Sequence, residues 1–210
     1  MKIPAFLALL LLAACASKPP VPAWQPNAKD ALDGFTDDYL RGNTAAANAQ
    51  FARARRETTS TGRFDVVAQA ELVRCATLAA SLEFADCPGF AALASGATPQ
   101  QRAYAAYIGG RWEGLDAGLL PEQHRPVLAS GSMAGVADPL ARLVAAGALL
   151  KAGRIRLEDI VAATETASGQ GWRRPLLMWL GVQAKRAEAA GNTAGADSIR
   201  RRIALASGTQ

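Results

Sequence analysis

The sequence contains a single histidine, His124, among its 210 residues, and this scarcity excludes several kinds of site. Zinc sites built on paired histidines are ruled out, because each of them needs at least two imidazole ligands. A histidine-dependent catalytic triad would have to use His124, which lies on a segment rich in glycine and proline. We therefore expect His124 to be a surface residue, and we predict no catalytic residues, no metal site and no cofactor.

Aromatic residues are also few. They make up 6% of the chain although half of all residues are hydrophobic, and alanine supplies much of that hydrophobic share. Small side chains suit close packing of helices, whereas a large aromatic ligand site would need more rings. No stretch alternates polar and apolar residues over the length of a β-strand. The composition therefore predicts an all-α protein with little or no sheet.

Charge of neither sign is concentrated in the chain. The net charge of +5 is spread along the sequence, so we do not expect nucleic acid as a partner. Short arginine clusters could contact anionic lipid, lipopolysaccharide or glycan, but the favoured interpretation is that they complement helix C-termini and cover apolar surface. These clusters are Arg53, Arg55 and Arg56; Arg173 and Arg174; and Arg200, Arg201 and Arg202.

The first residues carry a specific pattern. Lys2 precedes an apolar run, Ile3–Leu12, which is long enough for a secretory signal and too short for a membrane span. The sequence Leu12-Ala13-Ala14-Cys15 resembles the bacterial lipobox, in which a branched residue and two small residues precede the lipidated cysteine. The resemblance implies that residues 1–14 are a signal peptide and that Cys15 is acylated. An ordinary signal peptide followed by a chance cysteine is the alternative.

A lipidated Cys15 would place the protein on a membrane that faces the periplasm. Several acyl chains are needed for stable anchoring, because one chain alone binds only marginally. The absence of aspartate after Cys15 resembles lipoproteins sorted to the outer membrane, and the inner membrane is the lesser option. Residues 15–26 are rich in proline and are predicted to form an extended tether. Residues 27–210 are then expected to form a single domain.

Apolar residues recur at helical spacing throughout this domain and predict about eight or nine helices. The Trp172, Leu176 and Trp179 stripe is typical of a core face rather than of a ligand platform. The predicted helical segments are 27–41, 44–57, 63–83, 98–108, a short one within 121–128, 138–153, 157–167, 172–190 and 193–206.

The first two helices are predicted to form a hairpin around Gly42. After this turn, Ala47, Phe51 and Ala54 resemble the small, aromatic and small residues in the second helix of a tetratricopeptide repeat. The resemblance covers about 30 residues, and no 34-residue period extends it along the chain. The architecture is therefore either an irregular helical bundle or a short solenoid of antiparallel hairpins, tetratricopeptide-like at most.

Cys75 and Cys87 form an even pair in the oxidising compartment that the signal implies, so a structural disulfide is the favoured prediction. A straight helix would separate them by ~18 Å, which means that the chain must turn between them. Asp86-Cys87-Pro88-Gly89 supplies the turn. Two buried free thiols are the alternative.

Two hypotheses about function remain open. The preferred one is a non-catalytic, membrane-anchored helical module that holds an envelope protein partner. The alternative is a protein that binds or hydrolyses an envelope polymer such as peptidoglycan or glycan, and a hydrolase would need paired carboxylates in a cleft. Asp37-Asp38 and Glu158-Asp159 are adjacent acids, but neighbours on a helix point in different directions, so we expect them to be surface charge.

The anchoring hypothesis is tested by Cys15→Ser. We expect this variant to lose processing at the bond before residue 15 and to leave the membrane fraction after a salt wash, because the thiol that carries the lipid is gone. Mass spectrometry of the mature N-terminus and fractionation of the envelope measure both properties. If the variant is cleaved at the same bond and still sediments with membranes, the anchoring hypothesis is wrong.

Overall fold

The computed structural model describes residues 21–208, and no β-strand occurs within this range, so the all-α prediction is confirmed. The lipobox, Cys15 and the first half of the predicted tether, residues 15–20, lie outside the described residues, and residues 24–26 of the tether are helical rather than extended. Short 3-10 turns occur at Ala94–Gly96, Ala117–Leu119 and Glu122–His124. The α-helices of the described range are α1 (Trp24–Arg41), α2 (Thr44–Thr59), α3 (Phe64–Ala80), α4 (Pro88–Ala91), α5 (Pro99–Ile108), α6 (Arg125–Ser130), α7 (Pro139–Lys151), α8 (Leu157–Gly169), α9 (Arg173–Ala189) and α10 (Thr193–Ser207).

Each of the nine predicted helical segments contains a helix, and the differences lie at their ends. Helix α1 starts at Trp24 rather than Asn27, because Pro26 falls in its first turn, where the missing N–H has no intrahelical partner. Helix α3 stops at Ala80, three residues before the predicted end, and Leu82 takes a left-handed φ of 58°. The four-residue helix α4 was not predicted.

The predicted hairpin of α1 and α2 is present. Gly42 ends α1 with a φ of 97°, a left-handed conformation that glycine adopts without steric cost, and the chain reverses there. Ala47, Phe51 and Ala54 are buried, as their spacing predicts. The Phe51 ring lies 5.3 Å from the Phe35 ring, so the aromatic side chain fills the space between the paired helices.

Helix α3 occupies the centre of the fold and packs against α1, α2, α4, α5 and α7. Helices α1 and α3 run parallel. Trp24 at the start of α1 lines a cavity together with Val66 near the start of α3, and further along both helices Thr36 contacts Thr77. Helix α7 approaches α3 so closely that Gly147 lies against the backbone of Ala79. The main core surrounds this contact, and a smaller apolar cluster lies under α4.

The Cys75–Cys87 disulfide is present, with an S–S distance of 2.10 Å and 5.7 Å between the Cα atoms, so this prediction is confirmed. The chain leaves α3 after Ala80 and turns back along it, which brings Cys87 to Cys75. The next segment places Phe90 in the smaller apolar cluster, where Leu72 of α3 also lies. The disulfide thus attaches the α4 segment to the central helix.

Helix α9 closes the fold by packing on both α1 and α8. Trp179 is fully buried and its indole N–H donates to the carbonyl of Ala80 at 3.2 Å, while Trp172 and Leu176 pack half-buried against the same core. The predicted core stripe is therefore confirmed. Arg174 donates to the carbonyl of Tyr39 at 2.8 Å and lies over its ring at 4.2 Å, which joins α9 to the α1–α2 turn.

The close approach of α3 and α7 predicts the effect of Gly147→Ala. An added Cβ would overlap the carbonyl oxygen of Ala79 and lie 3.0 Å from its carbonyl carbon, so the helices must move apart. We expect a loss of about 1–3 kcal/mol in the free energy of unfolding, measured by urea denaturation. Gly181→Ala in α9 is the control, because its Cβ meets nothing within 4 Å and alanine should stabilise the helix by about 1 kcal/mol. Equal effects of the two substitutions would contradict this account of α3 and α7.

Candidate functional site

Two adjoining cavities follow the exposed side of α3. The larger, about 550 Å³, lies between α3, α5, α7 and residues 118–125, and the smaller, about 460 Å³, lies between α1 and α3. Gln69, Val73 and Gln101 line both cavities, so the two adjoin each other, and together we call them the α3 groove. Both volumes fall in the range of ligand-binding pockets.

The floor of the α3 groove is apolar. Val73 lies at its centre, with Leu72 and Ala76 towards α7 and Ala70 towards α1. Leu32 of α1 and Leu140 of α7 stand on opposite walls. Ala70, Leu72 and Ala76 are themselves buried in the core, whereas Val73 is half-buried and stays partly accessible to a ligand. An apolar ligand surface can therefore be buried along the length of α3.

Gln25 lines the smaller cavity, and four glutamines give the larger cavity its polar lining: Gln69, Gln100, Gln101 and Gln123. Gln101 is held by a capping box at the start of α5, where its side chain accepts from the backbone N–H of Thr98 at 3.0 Å. It also donates to the carbonyl of Asp65 at 2.8 Å, which joins α5 to α3. The other three carboxamides are on exposed residues. A carboxamide offers both a donor and an acceptor to a ligand.

The charged residues of the groove are engaged with the protein itself. Arg125 donates to the carbonyl of Leu120 at 2.9 Å, and Asp138 accepts from the backbone N–H of Ala141 at 2.7 Å as the N-cap of α7. At the other end, Lys29 pairs with Asp33 and Asp65 pairs with Arg63. The groove therefore has one cation and one anion in its larger cavity and little net charge.

His124 lies in the wall of this larger cavity and is only 1% exposed, so the prediction of a surface histidine is wrong. The 3-10 turn that ends at His124 directs the ring inward, where it packs 5.5 Å from the Tyr104 ring and 5.0 Å from the Tyr107 ring. A signal for this burial is present in the sequence. Leu120, His124 and Val127 recur at four- and three-residue spacing, and all three are buried.

Burial sets the protonation state of His124. Removal from water lowers the pKa of the imidazole to about 4, although the negative charge of Asp138 acts in the opposite direction. The ring is therefore neutral at pH 7. Its Nδ1 atom is buried without a hydrogen-bond partner among the described residues, and so is the hydroxyl of the neighbouring Tyr107. Burial also raises the pKa of both tyrosines of this cluster, so neither ionises near neutral pH.

The two buried acids of the described residues do not form a catalytic pair. Glu71 bonds with Arg55 at 2.8 Å beside the disulfide, and Asp159 bonds with Arg156 at 3.0 Å at the start of α8. The prediction that Asp159 is surface charge is wrong, because its carboxylate accepts from the Arg156 backbone N–H and is drawn into the helix terminus, 3% exposed. Glu158 is exposed, as predicted. Neither buried acid lines the α3 groove.

The arginine clusters are partly tied to carboxylates of the protein. Besides Arg55, Arg174 pairs with Glu83, Arg200 with Glu188 and Asp197, and Arg202 with Glu165. These contacts link neighbouring helices, which agrees with the favoured interpretation that the arginines support the fold. None of the cluster arginines lines the α3 groove.

The low pKa of His124 predicts a pH-dependent contribution to stability. The pKa of His124 is 6.5 in the unfolded chain and about 4 in the folded chain. Its contribution to the free energy of unfolding is therefore complete above pH 7 and decreases as the pH falls from 6.5 to 4. Between pH 7 and pH 4, we expect the free energy of unfolding of the wild type to fall by about 3 kcal/mol more than that of His124→Phe. Urea denaturation of both proteins across this range measures the difference, and parallel curves would contradict the burial of a neutral imidazole.

Within residues 21–208, no helix is long and apolar enough to cross a membrane, and no group of three or more histidine, cysteine, aspartate or glutamate residues could hold a metal ion. No family model, curated protein or solved structure matches the chain. The function therefore has to be argued from the chemistry of the α3 groove.

Proposed function

We propose that this protein is a lipid-anchored, non-catalytic module of the bacterial envelope that binds an extended, uncharged segment of a partner protein in the α3 groove. The observation that carries the proposal is the groove itself, two adjoining cavities with an apolar floor and carboxamide side chains along it. Cys15 would be the lipidated residue and the outer membrane the location, with the inner membrane as the lesser option.

The chemistry of the groove matches an extended peptide. In such a segment alternate side chains point the same way, so one set can contact Val73 and its apolar neighbours while the backbone amides remain available. Gln100 and Gln123 can each donate to a peptide carbonyl and accept from a peptide N–H, and Gln69, whose oxygen accepts from Gln101 at 3.3 Å, can donate to a carbonyl. An uncharged segment is favoured because the charged groups of the groove are already bonded within the protein.

The position of the groove suits a partner close to the membrane. Trp24 lines the α1 end of the groove and lies nine positions after Cys15. Nine residues span at most about 30 Å even when fully extended. A lipid on Cys15 would therefore hold this end of the groove within that distance of the bilayer surface, where segments of other membrane-bound proteins are accessible.

Hydrolysis of an envelope polymer is the competing function, and the described residues favour it less. A glycoside hydrolase needs two carboxyl groups on opposite sides of the bond that it cleaves. The larger cavity contains one acid, Asp138, which caps α7. Glu71 and Asp159 are separately bonded to arginines outside the groove, so neither is placed to act on a ligand there.

Peptide selection with a groove variant tests the proposed function. A random peptide library displayed on phage is panned on the soluble domain, residues 21–210, and each enriched peptide is then measured on Val73→Arg. Arginine at this half-buried position would extend into the groove and occupy it, so we expect affinity to fall by about tenfold or more. Calorimetric titration gives the dissociation constants.

The matched control is Val161→Arg on α8, which adds the same charge at a position that is 45% exposed and outside the groove. This variant should bind the enriched peptides as the wild type does. Thermal denaturation of both variants shows whether they are folded. If no enriched peptide binds more weakly to Val73→Arg than to Val161→Arg, peptide binding in the groove is refuted.

A further inference from the structure

An unsatisfied polar group marks one position in the α3 groove. Buried polar atoms in native proteins are almost always hydrogen-bonded, so each exception needs an explanation. One explanation is that the atom binds a ligand. Five buried side-chain atoms of the described residues make no hydrogen bond, on Tyr39, Glu71, Ser81, Tyr107 and His124, although the Glu71 oxygen is ion-paired with Arg55. Of these residues, His124 is the one that lines the α3 groove.

The neutral imidazole of His124 is suited to accept a hydrogen bond from a ligand. In a neutral ring one nitrogen carries a proton and the other is an acceptor. Rotation of the ring by 180° about its Cβ–Cγ bond exchanges the edge that carries Nδ1 with the opposite edge while the ring stays between Tyr104 and Tyr107. Nδ1 is fully buried in the structure, so a ligand that enters the cavity reaches this nitrogen when the ring is turned.

The surroundings of His124 select against charged ligand groups. A carboxylate in the larger cavity would face Asp138, and a cationic side chain would face Arg125. Both residues are bonded to the backbone, which keeps them in place. An apolar side chain would fill the cavity but leave the imidazole without a partner, at a cost of about 1–3 kcal/mol. An uncharged side chain with an N–H donor avoids all three penalties.

We propose that the larger cavity of the α3 groove is a specificity pocket for an asparagine or glutamine side chain of the bound peptide, whose carboxamide N–H donates to His124. The carboxamide oxygen can accept from Gln100 or Gln123, which line the same cavity. This inference rests on the proposed function and adds the side-chain preference of the groove. His124 is then a residue that contacts the ligand and not only a part of the core.

The experiment compares peptide preferences of the wild type, His124→Phe and His124→Gln. Peptides that bind in a Val73-dependent manner are varied to all residues at each position, and their affinities are measured on the three proteins. Phenylalanine keeps the aromatic packing beside Tyr104 and Tyr107 but cannot accept a hydrogen bond, whereas glutamine restores an acceptor. Removal of the unpaired polar atom should leave His124→Phe folded, and thermal denaturation checks this.

We expect one peptide position at which the wild type prefers asparagine or glutamine over leucine and methionine by about tenfold or more. His124→Phe should lose that preference while still binding the leucine peptides, and His124→Gln should retain part of it. An unchanged preference in His124→Phe, or a charged residue preferred by the wild type, would overturn the specificity pocket and leave the groove proposal standing. The absence of any Val73-dependent peptide would overturn both.

Discussion

The contact on which the structure depends is the backbone approach of α7 to α3 at Gly147 and Ala79. Two helices approach this closely only where both present small residues, and α3 supplies Ala76, Ala79 and Ala80 at this end. The spacing of the helices decides how the core is filled, and it also sets the width of the α3 groove, because α3 is the floor and α7 is one wall. The scarcity of large side chains in this sequence is thus a condition for the groove as well as for the fold.

Much of the fold was predictable because it rests on local signals. Glycine and proline mark the helix ends, as Gly42 and the Thr98-Pro99 pair show, and the apolar spacing within each segment gives the buried face. The disulfide was predictable for the same reason, since the turn before Cys87 is encoded in a few neighbouring residues. Two helix ends differ from the prediction. Helix α1 begins at Trp24 because its first turn tolerates Pro26, and α3 ends at Ala80, shortly before Leu82 takes a left-handed conformation.

The site was less predictable because its residues meet only after the helices pack. Gln101 and the carbonyl of Asp65 are 36 positions apart, and an exposed glutamine on a helix is by itself an ordinary surface residue. His124 and Asp159 were wrongly placed on the surface for a different reason. The glycine- and proline-rich segment of His124 and the adjacency of Asp159 to Glu158 on a helix both suggest surface positions, whereas the apolar spacing around His124 and the capping position of Asp159 indicate burial.

The buried polar groups of this protein follow two different rules, and the difference bears on function. Glu71 and Asp159 are buried acids, and each is held by an arginine, because an unpaired charge in the interior would be too costly. His124 needs no partner of opposite charge because it remains neutral, but its Nδ1 atom is left without a hydrogen bond in the wall of a cavity. The fold pairs its buried charges but leaves this neutral group with unused hydrogen-bonding capacity in the wall of the α3 groove. A ligand that supplies the missing donor would gain affinity there and would also stabilise the folded state, since binding and folding draw on the same free energy.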